Sequence, residues 1–128
     1  MKKKYILLID DDPDEFDFFL SAINKIPDFF ECGYAVSAAA AISLLEDFLP
    51  DYIFVDMNMP LVNGIECTKK LKNIDSVSNV PIYIYTTGYD EILKKKALLN
   101  GASGCLKKPS KPSLLADILT SLHHNGKP

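Results

Sequence analysis

Residues 51–60 read DYIFVDMNMP, and this stretch decides the fold of the 128-residue chain. Residues 52–55 are apolar and run without a polar interruption into the carboxylate of Asp56. Such a run is typical of a strand that is buried on both faces, as in a parallel sheet. Pro60 and then Asn63-Gly64 end the strand and turn the chain. Because ligands bind at the carboxyl edge of open parallel sheets, Asp56 is the first candidate site residue, although it could also simply begin a loop or cap a helix.

Length and composition indicate one globular α/β domain. The chain is 48% hydrophobic and 10% aromatic, with a formal net charge of −3. This length suits a single domain with its own core, and the acidic balance argues against nucleic acid as a partner. We therefore expect one domain over residues 1–128, with a core of about 4–123, a polar tail over 124–128 and no output domain.

The amino terminus and the cysteines suggest where the protein works. Only residues 5–9 are apolar between the opening lysines and three aspartates, which is too short for a signal peptide. No apolar run approaches the ~20 residues of a membrane span. The three cysteines are odd in number and lack metal-ligand spacing. We predict a cytoplasmic protein with reduced thiols and no membrane partner.

Strand and helix patterns alternate along the whole chain. Apolar runs predict strands near residues 5–9, 34–36, 52–55, 80–86 and 104–107. Helix starts are predicted at Pro13, Ser37, Asn63-Gly64, Asp90 and Pro112. This (βα)5 order predicts a five-stranded parallel sheet with right-handed crossovers and helices on both faces. The flavodoxin-like strand order 2-1-3-4-5 is favoured.

The acidic stretch after the first strand divides into two parts. Asp12 precedes Pro13 and Glu15 as the capping residue of a helix would, so helix capping explains this part. Asp10 and Asp11 fall before the cap, at the end of the strand, and capping does not explain them. We therefore treat Asp10 and Asp11 as candidate site residues.

The strand ends together carry the groups that phosphoryl transfer needs. The predicted sheet brings Asp10, Asp11, Asp56, Thr86 and Lys108 to one edge. Three neighbouring carboxylates repel one another unless a cation intervenes, and Mg²⁺ prefers such oxygen ligands. An aspartate can act as a nucleophile, while Mg²⁺, a lysine and a hydroxyl stabilise the transferring group. The pattern predicts phosphoryl transfer onto Asp56.

These motifs resemble the receiver domain of two-component response regulators, over essentially the full chain. The matching pieces are Ile9-Asp10-Asp11-Asp12-Pro13, Val55-Asp56-Met57-Asn58-Met59-Pro60, Asn63-Gly64, Thr86-Thr87-Gly88, Gly101-Ala102-Ser103-Gly104 and Lys108-Pro109. The resemblance implies a stand-alone bacterial signalling switch rather than a metabolic enzyme. It would take the phosphoryl group from a sensor histidine kinase or a histidine phosphotransfer protein. It would then signal to a separate protein as a monomer or weak dimer, either by binding or by passing the phosphoryl group on.

The resemblance also implies a role for each site residue. Asp11, Asp56 and the backbone carbonyl of Asn58 would ligate Mg²⁺ directly, and Asp10 would act through water. Thr86 would bond a phosphoryl oxygen, Lys108 would pair with it, and the Lys108–Pro109 peptide bond would be cis.

One residue departs from the pattern of the family. Receiver domains usually carry Tyr or Phe in the fifth strand where this chain has Cys105, and that ring changes rotamer together with the threonine. Cys105 is too small to do so and is expected to be a buried core residue. We hypothesise that Tyr85 or Tyr89, beside Thr86, takes over part of this readout.

Three alternative functions remain at this stage. A degenerate receiver could bind partners without phosphorylation, although every expected site residue is present. Asp10 and Asp12 have the D-x-D spacing of haloacid-dehalogenase-type phosphatases, but Pro13 stands where Gly-Thr would follow. An FMN carrier of the flavodoxin type would need a phosphate-binding loop that three aspartates would oppose.

Overall fold

Five strands and five helices alternate along the computed structural model, which describes residues 3–128. The alternation confirms the predicted (βα)5 order. In chain order the elements are β1 Lys4–Ile9, α1 Pro13–Asn24, β2 Phe30–Ala35, α2 Ala38–Leu44, β3 Tyr52–Asp56, α3 Gly64–Lys72, β4 Ile82–Thr86, α4 Glu91–Leu99, β5 Gly104–Lys107 and α5 Pro112–Asn125.

The strands form one parallel sheet in the order β2-β1-β3-β4-β5, as predicted. All five residues of β3, the middle strand, are buried, which explains its uninterrupted apolar sequence. One apolar cluster packs α1 and α5 against the sheet, and a second packs α2, α3 and α4 against the other face. We name these the α1/α5 face and the α2–α4 face.

Side-chain caps begin four of the five helices where the sequence predicts them. Asp12, Ser37 and Asp90 each accept a hydrogen bond from a backbone N–H in the first turn of their helix. Asn63 and Glu66 form a reciprocal capping box at the start of α3, with bonds of 2.9 and 3.1 Å. α5 begins at Pro112 without a side-chain cap.

Several element boundaries differ from the predictions. β2 begins at Phe30, four residues earlier than predicted, because its backbone pairs with β1 along its whole length. The helix α2 ends at Leu44, whereas the sequence predicts that it continues until Pro50 stops it. α5 continues to Asn125, so it includes two residues of the predicted tail, and Gly126 ends it with a φ of 72°.

Two further expectations concern the peptide bonds and the membrane. The Lys108–Pro109 peptide bond is trans, as are all peptide bonds within the described residues, so the predicted cis bond is wrong. Trans is the ordinary preference of a bond before proline. Across residues 3–128, no helix is both long enough and apolar enough to cross a membrane.

Gly64 is required where the first turn of α3 passes over the end of β3. A Cβ at this position would lie 2.6 Å from the backbone oxygen of Asp56 and 2.9 Å from Cα of Met57. Backbone atoms cannot move aside as a flexible side chain can. The glycine therefore allows α3 to start directly behind the candidate site residue Asp56.

We expect Gly64→Ala to lower the free energy of unfolding by about 1–3 kcal/mol, the usual range for overpacking a tight site. Gly88→Ala is the matched control, because its Cβ would meet only the Thr86 Oγ1 atom, at an ordinary 3.8 Å. Urea denaturation of both variants measures the difference. Equal midpoints for the two variants would contradict the close approach at Gly64.

Candidate functional site

Four strand ends deliver the candidate residues to one edge of the sheet. Asp56 and Thr86 are the last residues of β3 and β4, while Asp10 and Lys108 directly follow β1 and β5. Backbone bonds continue beyond the strands: the Asp10 N–H donates to the Ala35 carbonyl at 3.0 Å, and the Lys108 N–H donates to the Thr86 carbonyl at 2.9 Å. The backbone ladders therefore fix the positions from which the functional side chains extend.

Asp10, Asp11 and Asp56 form a compact acidic cluster. Each can offer a carboxylate oxygen that lies within 4.8 Å of those of the other two. Asp10 and Asp56 are 1% and 6% exposed, whereas Asp11 is exposed. Asp10 Oδ1 also accepts a hydrogen bond of 3.0 Å from the Asp12 N–H, which orients this carboxylate.

The ammonium of Lys108 also reaches this cluster, from the end of β5, the outermost strand of the sheet. Its Nζ lies 3.0 Å from Asp10 Oδ2 and 3.2 Å from Asp56 Oδ1, and its side chain is only 11% exposed. A third partner, Glu15 Oε1, lies 3.5 Å away. The sequence pattern explains Glu15 by helix capping alone and does not predict this contact. Its position in the first turn of α1, directly behind the acidic strand end, was the available signal.

Burial and charge act in opposite directions on Asp56. Burial raises the pKa of its carboxyl, and the neighbouring charge of Asp10 raises it further, while Lys108 lowers it without cancelling the rise. For Lys108, burial alone would lower the pKa of the ammonium. The hydrogen bond to Asp10 and the surrounding carboxylate charges outweigh burial and raise that pKa above its ordinary value. Lys108 is therefore held as a cation.

Thr86 links the site to the loop that follows β4. Its side chain is buried, with 1% exposed, and its Oγ1 accepts a hydrogen bond of 3.1 Å from the Gly88 N–H. Asn58 is exposed in the loop after β3, two residues beyond Asp56. The role of its carbonyl as a metal ligand stays a prediction.

The three residues of the expected readout lie on different faces of the sheet. Cys105 is 7% exposed and belongs to the α2–α4 face, where half-buried Tyr89 also packs. The Tyr89 hydroxyl donates to Glu91 Oε1 at 3.1 Å. Tyr85 is fully buried in the opposite, α1/α5 face. Only Tyr89 is thus placed beside Cys105 with part of its surface in solvent.

The chemistry of the acidic cluster fits Mg²⁺. Its carboxylates are hard oxygen donors, two of them are nearly buried, and the exposed Asp11 leaves the cluster open to solvent. Mg²⁺ is usually held by one or two carboxylates while it keeps several waters. Asp10, Asp11 and Asp56 are the residues that would hold the ion.

Comparison with known proteins identifies the family. Residues 6–120 match the response regulator receiver domain. The nitrate/nitrite response regulator protein NarL of Escherichia coli K12 is 33% identical over 118 residues, which cover 92% of this chain and 52% of NarL. This chain thus corresponds to about half the length of NarL. The chemotaxis protein CheY of Halobacterium salinarum is 31% identical over 124 residues, covering 92% of this chain and 98% of CheY.

Solved structures show the same fold at lower sequence identity. The chemotaxis response regulator CheY4 of Vibrio cholerae superposes with a TM-score of 0.83 at 24% identity, covering 94% of this chain and 99% of that one. A second match is the receiver domain of the sensor histidine kinase PA1611 of Pseudomonas aeruginosa, which has a magnesium ion coordinated in its active site cleft. It superposes with a TM-score of 0.76 at 22% identity, covering 93% of this chain and 96% of that one. With its motifs, its sheet order and this family match in agreement, the chain belongs to the response regulator receiver domains.

Proposed function

We propose that this receiver domain takes a phosphoryl group onto Asp56 from a phosphohistidine, with Mg²⁺, and works as a signalling switch rather than a metabolic enzyme. The observation that carries the proposal is the ammonium of Lys108, placed between Asp10 and Asp56 beside a third carboxylate. The donor is a sensor histidine kinase or a histidine phosphotransfer protein. The protein then acts in the cytoplasm on a separate partner, by binding or by phosphoryl relay, as a monomer or weak dimer.

In the transfer step, a carboxylate oxygen of Asp56 attacks the phosphorus of the donor. The new O–P bond forms as the P–N bond to the imidazole breaks, and the electron pair of that bond stays on the nitrogen. Lys108 moves from Asp56 Oδ1 to the arriving phosphoryl oxygens, where its charge offsets theirs. The raised pKa of Lys108 supports this role, because the group stays charged throughout.

Asp11, Asp56 and the carbonyl of Asn58 would hold Mg²⁺ directly, with Asp10 acting through water. When bound, Mg²⁺ supplies positive charge that stabilises the phosphoryl group in transfer. Asp10 also accepts bonds from Lys108 and from the Asp12 N–H, and these keep its carboxylate in place. Asp11, which is exposed, is free to adjust to the ion.

The switch begins at Thr86. To bond a phosphoryl oxygen, the Thr86 hydroxyl would turn toward Asp56 and give up the hydrogen bond that its Oγ1 now accepts from the Gly88 N–H. Releasing Gly88 frees the loop that carries Tyr89, which packs on the same face as Cys105. We propose that Tyr89 supplies the aromatic readout, since Tyr85 is fully buried on the other face.

The phosphatase alternative is disfavoured by the position of Asp12. Its side chain accepts a hydrogen bond of 2.9 Å from the Asp14 N–H and caps α1. A D-x-D phosphatase would need this second aspartate as a proton donor and acceptor at the site. The degenerate receiver is supported by one feature, the small Cys105 in place of an aromatic residue, and phosphorylation by acetyl phosphate decides between the two functions.

Incubation with acetyl phosphate and Mg²⁺ should add one phosphoryl group, because Asp56 lies in the acidic cluster with its Oδ1 only 3.2 Å from the Lys108 ammonium. Intact mass spectrometry measures the adduct. Omitting Mg²⁺ or substituting Asp56→Asn should abolish it. An adduct that survives in Asp56→Asn means another nucleophile, and a wild-type protein without any adduct favours the phosphorylation-independent binding module.

Asp56 should also give stability a characteristic pH dependence in the absence of Mg²⁺. Its pKa is raised above the ordinary 3.8, so the folded state binds a proton that the unfolded state releases, and stability falls as pH rises from 3.8 through the raised value. Asp56→Asn removes this fall in stability, because asparagine does not ionise. The difference between the urea midpoints of the variant and the wild type should therefore grow across this pH window and then level off.

Saturating Mg²⁺ should shrink that difference at neutral pH, because ion binding stabilises only the folded wild type. A midpoint difference that stays constant from pH 3.5 to pH 7 contradicts the raised pKa. A wild-type midpoint that does not respond to Mg²⁺ contradicts the metal site.

The link between Thr86 and Gly88 can be followed by NMR. Phosphorylation should shift the Gly88 amide resonance, because its hydrogen bond to Thr86 Oγ1 is exchanged for solvent. Thr86→Val should abolish most of this shift, whereas Thr86→Ser, which keeps the hydroxyl, should retain it. Equal shifts in the two variants would show that the loop moves independently of Thr86.

A further inference from the structure

We propose that Tyr85 is a positioning residue for Lys108: its buried ring forms a floor beneath the ammonium and holds it between Asp10 and Asp56. The inference rests on the proposed function, since positioning Lys108 matters for phosphoryl transfer. Tyr85 would act on Lys108 inside the site, whereas Tyr89 would present the readout to a partner protein.

The first support is the contact itself. Nζ of Lys108 lies 5.5 Å from the centroid of the Tyr85 ring, within the ~6 Å range of a cation–π interaction. Tyr85 is 0% exposed and the Lys108 side chain only 11%, so water competes little for the ammonium. The attraction between a cation and a ring face is greatest when the pair is desolvated.

The second support is that the ring cannot easily move. Tyr85 packs edge-to-face against Phe19 and Phe54, with centroids 5.9 and 5.7 Å away. In the sheet its backbone lies between Asp56 of β3 and Leu106 of β5. The ring is therefore fixed by its strand and by two other buried rings, and it presents a rigid surface to Lys108.

The hydroxyl of Tyr85 does not explain why this residue is useful. It is buried and, among residues 3–128, has no hydrogen-bond partner. A buried hydroxyl without a partner costs stability, so the ring face is the part of the side chain that serves the site. Tyr85→Phe should accordingly preserve the function that Tyr85→Leu removes.

A ring suits a lysine that has to move. The hydrogen bond to Asp10 is directional, and Lys108 has to give up part of its pairing with Asp10 and Asp56 when a phosphoryl group arrives. Attraction to a ring face depends mainly on closeness to the face, so the ammonium can turn above Tyr85 without losing it. The floor would keep Lys108 at the site through the transfer.

The direct test is the NMR signal of the Lys108 ε-methylene, assigned by its absence in Lys108→Arg. In wild type and Tyr85→Phe, the ring current should shift this signal upfield from those of the exposed lysines. In Tyr85→Leu the shift should disappear. Phe54→Leu is the matched control, because it removes a neighbouring core ring but leaves the ring beneath Lys108 in place.

The functional test is the rate of phosphorylation by acetyl phosphate at saturating Mg²⁺. Tyr85→Leu should lower the phosphorylation rate by roughly 3- to 30-fold, which is the rate ratio that corresponds to the usual free energy of a cation–π contact. Tyr85→Phe should stay within about twofold of wild type under that same conversion. Tyr85→Met is the substitute if Tyr85→Leu fails to fold, as judged by circular dichroism.

The outcomes separate this inference from the proposed function. An unchanged Lys108 signal in Tyr85→Leu, or an equal loss of rate in Tyr85→Phe, overturns the positioning role. A wild-type protein that is never phosphorylated overturns the proposed function, while the NMR comparison still decides whether Tyr85 holds Lys108. Loss of the signal in Phe54→Leu as well would mean general loosening of the core, which also overturns the inference.

Discussion

The ammonium of Lys108 is the charge on which the site depends. It compensates two nearly buried carboxylates that come from neighbouring strands, β1 and β3, while Lys108 itself follows β5. Without a cation at this point, Asp10 and Asp56 would face each other with little water to screen them. The compensation works only if the three strands end at the same edge, and the parallel pairing of this sheet brings those ends together.

The local part of this arrangement was predictable from the sequence. A strand buried on both faces has to be apolar throughout, so the polar residue that ends it stands out, as Asp10 and Asp56 do. Helix caps act within four residues, so Asp12, Ser37 and Asn63 marked their helices correctly. Each of these signals comes from a short stretch of chain whose meaning does not depend on distant residues.

The parts that could not be predicted depend on contacts between distant segments. β2 contains Glu31, Cys32 and Gly33, none of which favours a strand, and it is extended because β1 offers six residues to pair with. The sequence also does not show on which face of the sheet Tyr85 and Tyr89 lie. All of β4 is buried, so no polar alternation shows which side chains point toward α1 and α5. The contact between Glu15 and Lys108 likewise depends on the packing of α1 against the sheet.

Two adjacent residues at the carboxyl end of β4 therefore connect the site with opposite faces of the sheet. Tyr85 lies beneath Lys108 on the α1/α5 face, and Thr86 leads through Gly88 to Tyr89 on the α2–α4 face. Cys105, which stands where the resemblance leads us to expect an aromatic residue, would affect only the second of these, because it packs on the α2–α4 face. Of the groups that would hold the phosphoryl group, Thr86 is the one that also leads to the surface that would report it. A change on the α2–α4 face, such as Cys105, would therefore leave the contacts of Lys108 with Asp10 and Asp56 in place, because those contacts involve no residue of that face.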